Sequence, residues 1–234
     1  MLDFSGLLLP ILLSAALNLD RQVLGPFALS RPLMSGFFLG LMLDSLPYGV
    51  WMGLSVELLW LAALPLGGQV IPNAGLAVSA VLIAWAGSVF SLPVGGARPE
   101  AGLVLSFLSV PLWAWAFTFI DQGVRRLVPR QLAAAEADLA AGRDPRFFSR
   151  NFSGLIFTFL LSIAALALAV ESNILLLNLA ARWGSGPVLF NLGFLFTFVP
   201  FLGLLAMAVF LETKTLGFYF AGLLASLLAL SAVH

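Results

Sequence analysis

Apolar runs of membrane length, separated by short polar or Gly/Pro-rich breaks, set the pattern of this chain. A spanning helix needs about 20 apolar residues, with a range of about 17–25. The first run, Phe4–Leu19, closes on Asp20-Arg21, a charged pair expected at the interface. Val23–Leu29 contains Gly25-Pro26 and predicts a bend before Arg31. Pro32–Leu46 and Tyr48–Leu64 are each marginal as full spans, so two part-membrane helices meeting near Pro47 fit better. Pro removes a backbone donor and opposes an unbroken helix, which places the expected break at Leu46–Tyr48. Leu64-Pro65-Leu66-Gly67-Gly68 reads as a turn. Val70–Leu92 is a good span interrupted early by Pro72-Asn73, Pro93–Gly102 a polar loop, and Leu103–Ile120 the next span.

The pattern then changes. Asp121–Arg150 is polar and holds Arg125, Arg126, Arg130, Arg143, Arg146 and Arg150, six of the eleven basic residues. Short Arg-rich loops stay in the cytoplasm, so a cytoplasmic loop is expected at about 121–150. Within it, Gln131–Ala141 predicts a short surface helix, with Gly142 as its stop and Pro129 at its first turn. Asn151–Val170 returns outward. Glu171–Gly186 reads as a non-cytoplasmic connection with a short interfacial helix, and Pro187–Leu211 crosses back. Glu212-Thr213-Lys214 is a tight turn, and Leu216–Val233 crosses out to leave His234 outside.

Composition turns this pattern into a class. Of 234 residues, 61% are hydrophobic and 9% charged, with a mean hydropathy of +1.06; soluble domains carry about 25% charged residues. The expectation is all-α: one integral membrane domain over 1–234, with about six to eight hydrophobic helices and broken or re-entrant segments within 31–79. Zero net charge and the lack of a long basic run argue against nucleic acid as a partner. The absence of Cys excludes disulfides, thiolate metal sites and a cysteine nucleophile. The first run follows Asp3 without a basic leader, which favours a retained helix over a cleaved signal peptide. GxGxxG, P-loop and metal-spaced His/Asp/Glu patterns are missing, and the one His is terminal. No cofactor or metal is expected, and no phosphohistidine relay within the chain.

Candidate chemistry concentrates between Arg31 and Ser79. Gly36/Gly40 and Gly49/Gly53 are Gly-x-x-x-Gly pairs, which let another backbone approach closely, and they flank Pro47. Broken helices bearing an intramembrane carboxylate point to a transporter's binding site. Glu57 lies mid-helix between Val56 and Leu58. It is either a carboxylate accepting hydrogen bonds from sugar hydroxyls or a packing acid bonded to a hydroxyl or to Arg31. Trp60 shares its face, for ring stacking or interfacial anchoring. Gln69 and Asn73 flank the next helix start, where Asn73 serves a ligand or simply caps. Arg31 is a gating group or a headgroup anchor; Asp44 caps the Pro47 turn or gates with it, and Gly40 and Gly53 pack the hairpin.

Arg31-Pro32-Leu33, Gly40-Leu41, Gly49, Gly53, Glu57, Gly67 and Pro72 before a small-residue helix start together resemble the IIC subunit of the mannose/fructose/sorbose family of bacterial phosphotransferase systems. The likeness runs without a gap over residues 24–79 and continues more weakly to about 160. It implies a sugar-translocating, non-catalytic subunit of the inner (cytoplasmic) membrane that crosses it several times and assembles into an oligomer. It also implies a IID-like membrane partner and soluble IIA/IIB proteins that carry phosphate from phosphoenolpyruvate, with the Arg-rich loop as a docking place. The family places a Glu at position 57 near its sugar. This chain departs from the family pattern at Ala28 (a Gln there), Asp44-Ser45 (Gly-Asp), Pro65 (Asn) and Asn73 (Asp). The alternative reading is a transport-incompetent scaffold or sensor of the same descent, and an intramembrane enzyme lacks any paired nucleophile and base.

Overall fold

The computed structural model describes residues 4–21, 27–60, 71–91, 99–183, 186–202 and 204, and among these the backbone is helical without a strand. α1 (Phe4–Asn18) ends in a 3-10 turn, Leu19–Arg21; α2 is Pro32–Met42 and α3 Leu46–Trp60. α4 (Ala74–Gly87) is followed by α5 (Pro99–Ala116) and α6 (Thr118–Ala140). α7 covers Phe147–Trp183, and α8 covers Gly186–Leu195. The all-α membrane class expected from the sequence is what the chain adopts.

α4 is the axis of the bundle. Each residue from Ala74 to Gly87 is buried, and the helix packs against α1, α2, α3, α5 and α7. Its Ala, Gly and Ser content explains this position, because small side chains let several helices close in where lipid offers no hydrophobic drive between them. The outward faces of α5 and α7 instead present leucines, among them Leu108, Leu112, Leu160 and Leu168. These two helices, α5 continued by α6, are long and apolar enough to cross a bilayer.

α2 and α3 form a hairpin whose two glycine pairs face each other. A Cβ on Gly40 would lie 3.0 Å from the Leu46 Cα, and one on Gly53 would lie 2.6 Å from the Pro32 oxygen. The turn between them differs from the expected break at Leu46–Tyr48. α2 ends earlier: the amides of Asp44 and Ser45 donate to the carbonyls of Leu41 and Gly40, and Asp44 takes φ 51°. This is a left-handed helix stop that usually employs Gly, here with Asp. Pro47 lies one residue into α3, where a missing N–H costs nothing because first-turn amides lack helical acceptors. It therefore starts a helix rather than breaking one.

Two further expectations are corrected. α6 begins at Thr118, far ahead of the expected helix start at Gln131, and passes through Pro129. The expected loop is a helical arm, in which α6 turns back at Gly142 (φ 69°) into α7. The arm is tied by Arg150 to Asp138 at 2.5 Å and by Gln131 to Ser153 at 3.0 Å. Gly142 is the stop the sequence indicated. The connection expected at Glu171–Gly186 is helix as far as Trp183. Its polar residues serve contacts between elements: Asn173 accepts from Ser109 at 2.7 Å, and Asn178 accepts from the Val89 amide at 3.3 Å. The expected crossing at Leu216–Val233 and the end of Pro187–Leu211, from residue 205 on, fall outside the described residues.

Candidate functional site

The end of the bundle nearest the arm collects the polar chemistry. α1 and α5 finish there and α2 and α4 begin there, because Pro32 and Asn73 open their helices. The C-terminal part of α3 comes to the same end, carrying Glu57 and Trp60.

The Arg31 guanidinium contacts Glu57 Oε1 at 3.0 Å, and Glu57 Oε2 accepts a longer 3.4 Å hydrogen bond from the Leu33 amide. Pro32 has no N–H, so Leu33 offers the first free amide of α2, and the positive end of the helix dipole favours a carboxylate there. The pair is not sealed: the Glu57 side chain is 17% exposed and that of Arg31 61%. Of the alternatives open for Glu57, the packing reading supplies a partner in Arg31. Trp60 is half-buried against the apolar core. Asp44 and Pro47 are exposed at the opposite turn, remote from Glu57 along α3. Gln69 lies outside the described residues.

Asn73 is fully buried. Its Oδ1 accepts the Leu76 amide at 3.3 Å, which caps α4. Its Nδ2 donates to Asn18 at 3.0 Å and to Asp121 at 3.4 Å. From there Asn18 donates to Ser162 on α7 at 3.0 Å. Arg21 donates to Asp121 at 2.8 Å and to the Ile71 carbonyl at 2.6 Å. One connected polar cluster thus joins α1, α4, α6 and α7.

This cluster was not visible in the sequence. Asp20 is 2% exposed and Asp121, expected at the start of a loop, is 1% exposed, so both acids are buried between elements of the bundle. Asp20 accepts the amides of Phe27 at 2.7 Å and Ser30 at 3.1 Å, and also the Ser30 hydroxyl. It therefore shapes the segment that delivers Arg31. Each of these polar residues sits at the edge of an apolar run, and that was the available signal.

A second grouping lies at the far end. The Tyr48 hydroxyl donates to Glu100 at 3.0 Å, and the Tyr48 ring packs edge-on against Trp85 and Phe196. Trp51 donates to the Phe196 carbonyl. These contacts hold the hairpin turn to α4, α5 and the segment after α8. Glu100, expected in a loop, lies in the first turn of α5. Among the described residues no group of His, Asp and Glu is arranged to hold a metal.

A family model described as the PTS system sorbose-specific IIC component matches residues 5–233. Comparison with curated proteins found no match. A solved structure described as "Structure of membrane protein" superposes with a TM-score of 0.67 at 17% identity, over 100% of this chain and 93% of that one. At that identity the likeness speaks for the fold alone. The chain belongs to the sorbose-type IIC family, within the mannose/fructose/sorbose group, and is a membrane subunit of a sugar phosphotransferase transport system.

Proposed function

We propose that this single membrane domain translocates sugar, binding it at the arm end of the bundle for phosphorylation by a soluble IIB protein. The observation that carries the reading is the Arg31–Glu57 pair. It is a charged pair of the bundle that solvent reaches, unlike Asp20 and Asp121 in the same region. A carboxylate and a guanidinium side by side offer acceptors and donors to neighbouring hydroxyls. Trp60 would stack against the sugar, with Asn73 acting behind it as the cap of α4, and Gln69, outside the described residues, remains a candidate sugar contact from the sequence. The Arg-rich arm, taken as cytoplasmic, lies at the same end and would receive the soluble IIA/IIB proteins. A IID-like membrane subunit, an oligomeric assembly and the bacterial inner membrane complete the reading.

The test is sugar binding and phosphoenolpyruvate-dependent uptake with the partner proteins present. Glu57→Gln exchanges a charged acceptor, worth about 1.5–3 kcal/mol per hydrogen bond, for a neutral one of about 0.5–1.5. At 1.4 kcal/mol per tenfold, affinity should fall roughly tenfold while the chain still inserts. A second reading, a scaffold without transport, draws on the same geometry, because Arg31 and the Leu33 amide engage both oxygens of Glu57. Normal sugar binding in Glu57→Gln together with lost assembly in Glu57→Leu would make Glu57 a structural anchor and sink it as a sugar contact; no uptake by the wild-type chain with its partners would favour the scaffold.

A further inference from the structure

Between Arg150 near its start and Arg182 in its last turn, α7 carries one charged residue, Glu171. Its position is close to the middle of the bundle. Along the helix it is about 13 Å from Ser162, which meets Asn18 at the arm end, and about 10 Å from Asn178, which meets Val89 at the other. Glu171 is exposed, and so are Leu168 and Leu175 one turn to either side, at 65% and 62%. An acidic side chain on an apolar face at that depth is costly in lipid, and such residues face protein or water. Among the described residues no hydrogen bond or ion pair reaches it.

The described cations do not answer it. Arg21 and Arg31 are engaged at the arm end, and Arg125, Arg126, Arg130, Arg143, Arg146 and Arg150 belong to the arm. Arg182 lies about 16 Å farther along α7. A second copy in the same membrane has the same orientation, so its Arg182 would stand at that same unmatched height. We infer that the α7 face formed by Leu168, Glu171 and Leu175 docks a different membrane chain, one that brings an arginine, lysine or side-chain amide to mid-bilayer height. This rests on the proposed second membrane subunit of the transport system. The leucines supply packing, and the carboxylate fixes the partner's height and rotation.

The test uses the full chain co-expressed with that subunit. Glu171→Lys should lower recovery of the complex by about tenfold, the loss of one charge-assisted hydrogen bond, while the level of the chain alone in the membrane is kept. Glu171→Gln, which keeps a neutral acceptor, should lose less of the complex than Glu171→Lys. The chain has no cysteine, so Leu175→Cys gives a single site for a spin label. Its relaxation by dissolved oxygen should be fast in the chain alone and slow in the complex. Undiminished recovery of the Glu171→Lys complex would overturn the docking face. So would a label already shielded in the chain alone, which would mean that other residues of this chain cover it. Spin–spin coupling between two labels would show a second copy there and would equally refute it. Failure of the wild-type chain and the subunit to associate at all would remove the partner subunit itself, and the docking face with it.

Discussion

Asn73 offers a sharp test of the buried cluster, because its side chain bonds Leu76, Asn18 and Asp121 at once. Asn73→Ala removes the cap on the Leu76 amide, worth about 1 kcal/mol. It also leaves the buried Asn18 oxygen without a donor, at about 1–3 kcal/mol, and deletes the longer contact to Asp121. The loss should total about 3 kcal/mol. With about 2–4 °C of melting temperature per kcal/mol at this chain length, melting in detergent should drop by roughly 10 °C. Asn73→Asp is more informative. It keeps the cap but loses both donated hydrogen bonds, and it sets a second carboxylate where 3.4 Å now separates Nδ2 from Asp121. Two unit charges 4 Å apart repel by about 4 kcal/mol at an effective dielectric of 20, partly offset here by Arg21. Asn73→Asp should therefore melt at or below Asn73→Ala, and Asp121→Asn added to it should recover most of the loss. Tryptophan fluorescence on heating reads all four proteins. An Asn73→Asp chain as stable as wild type would refute the reasoning.

Two further outcomes follow from the hairpin and its turn. Gly53→Ala places a Cβ 2.6 Å from the Pro32 oxygen and should block insertion or folding, whereas Gly123→Ala, whose nearest neighbours lie at 3.9 Å, should leave membrane levels unchanged; equal levels for both would count against the close approach of α2 and α3. Asp44→Gly relieves a left-handed residue and should raise stability by up to about 1 kcal/mol, measured as a higher melting temperature; a lower one would mean the Asp44 side chain has a role beyond the turn.

Much of the architecture could be read from residue pattern, and the misreadings share one cause. Run length and the Gly-x-x-x-Gly pairs indicated a membrane bundle with a broken hairpin, and that is the chain's form. Polar residues along the sequence read as boundaries. In lipid a polar side chain marks either the edge of the bilayer or a contact between helices, and spacing along one chain does not separate the two. Asn173 and Asn178 bond other elements within α7, yet they read as the end of a span. Asp121 is bridged by Arg21, 100 positions away in sequence. No local window contains such a pair. Glu57 stood out because a lone acid inside an apolar run needs no partner to be noticed. Its partner Arg31 was among the options because the hairpin brings the two helix ends together.

Asp20 leads to the last prediction, since it precedes Arg21 of the buried cluster and anchors the segment that carries Arg31. One of its oxygens accepts the Phe27 amide and the other accepts the amide and hydroxyl of Ser30. Between these anchors Ala28 takes φ 66°, a left-handed conformation that costs an L-residue about 1–2 kcal/mol. The carboxylate is thus holding a segment that would otherwise relax. Asp20→Asn leaves one acceptor and turns an NH2 toward a backbone N–H, so at least one anchor is lost, at about 1–3 kcal/mol. Local opening sets amide exchange, so at 1.4 kcal/mol per tenfold exchange at Phe27 or Ser30 should quicken by about 10- to 100-fold. Amides within α4, buried on all sides, should not change. If Arg31 is placed by this segment, sugar affinity should fall in Asp20→Asn, and Ala28→Gly, which removes the strain, should slow the same amides in the otherwise wild-type chain. Hydrogen exchange with mass detection reads both variants. Unchanged exchange across residues 27–31 in Asp20→Asn would show that the segment keeps its shape by other means.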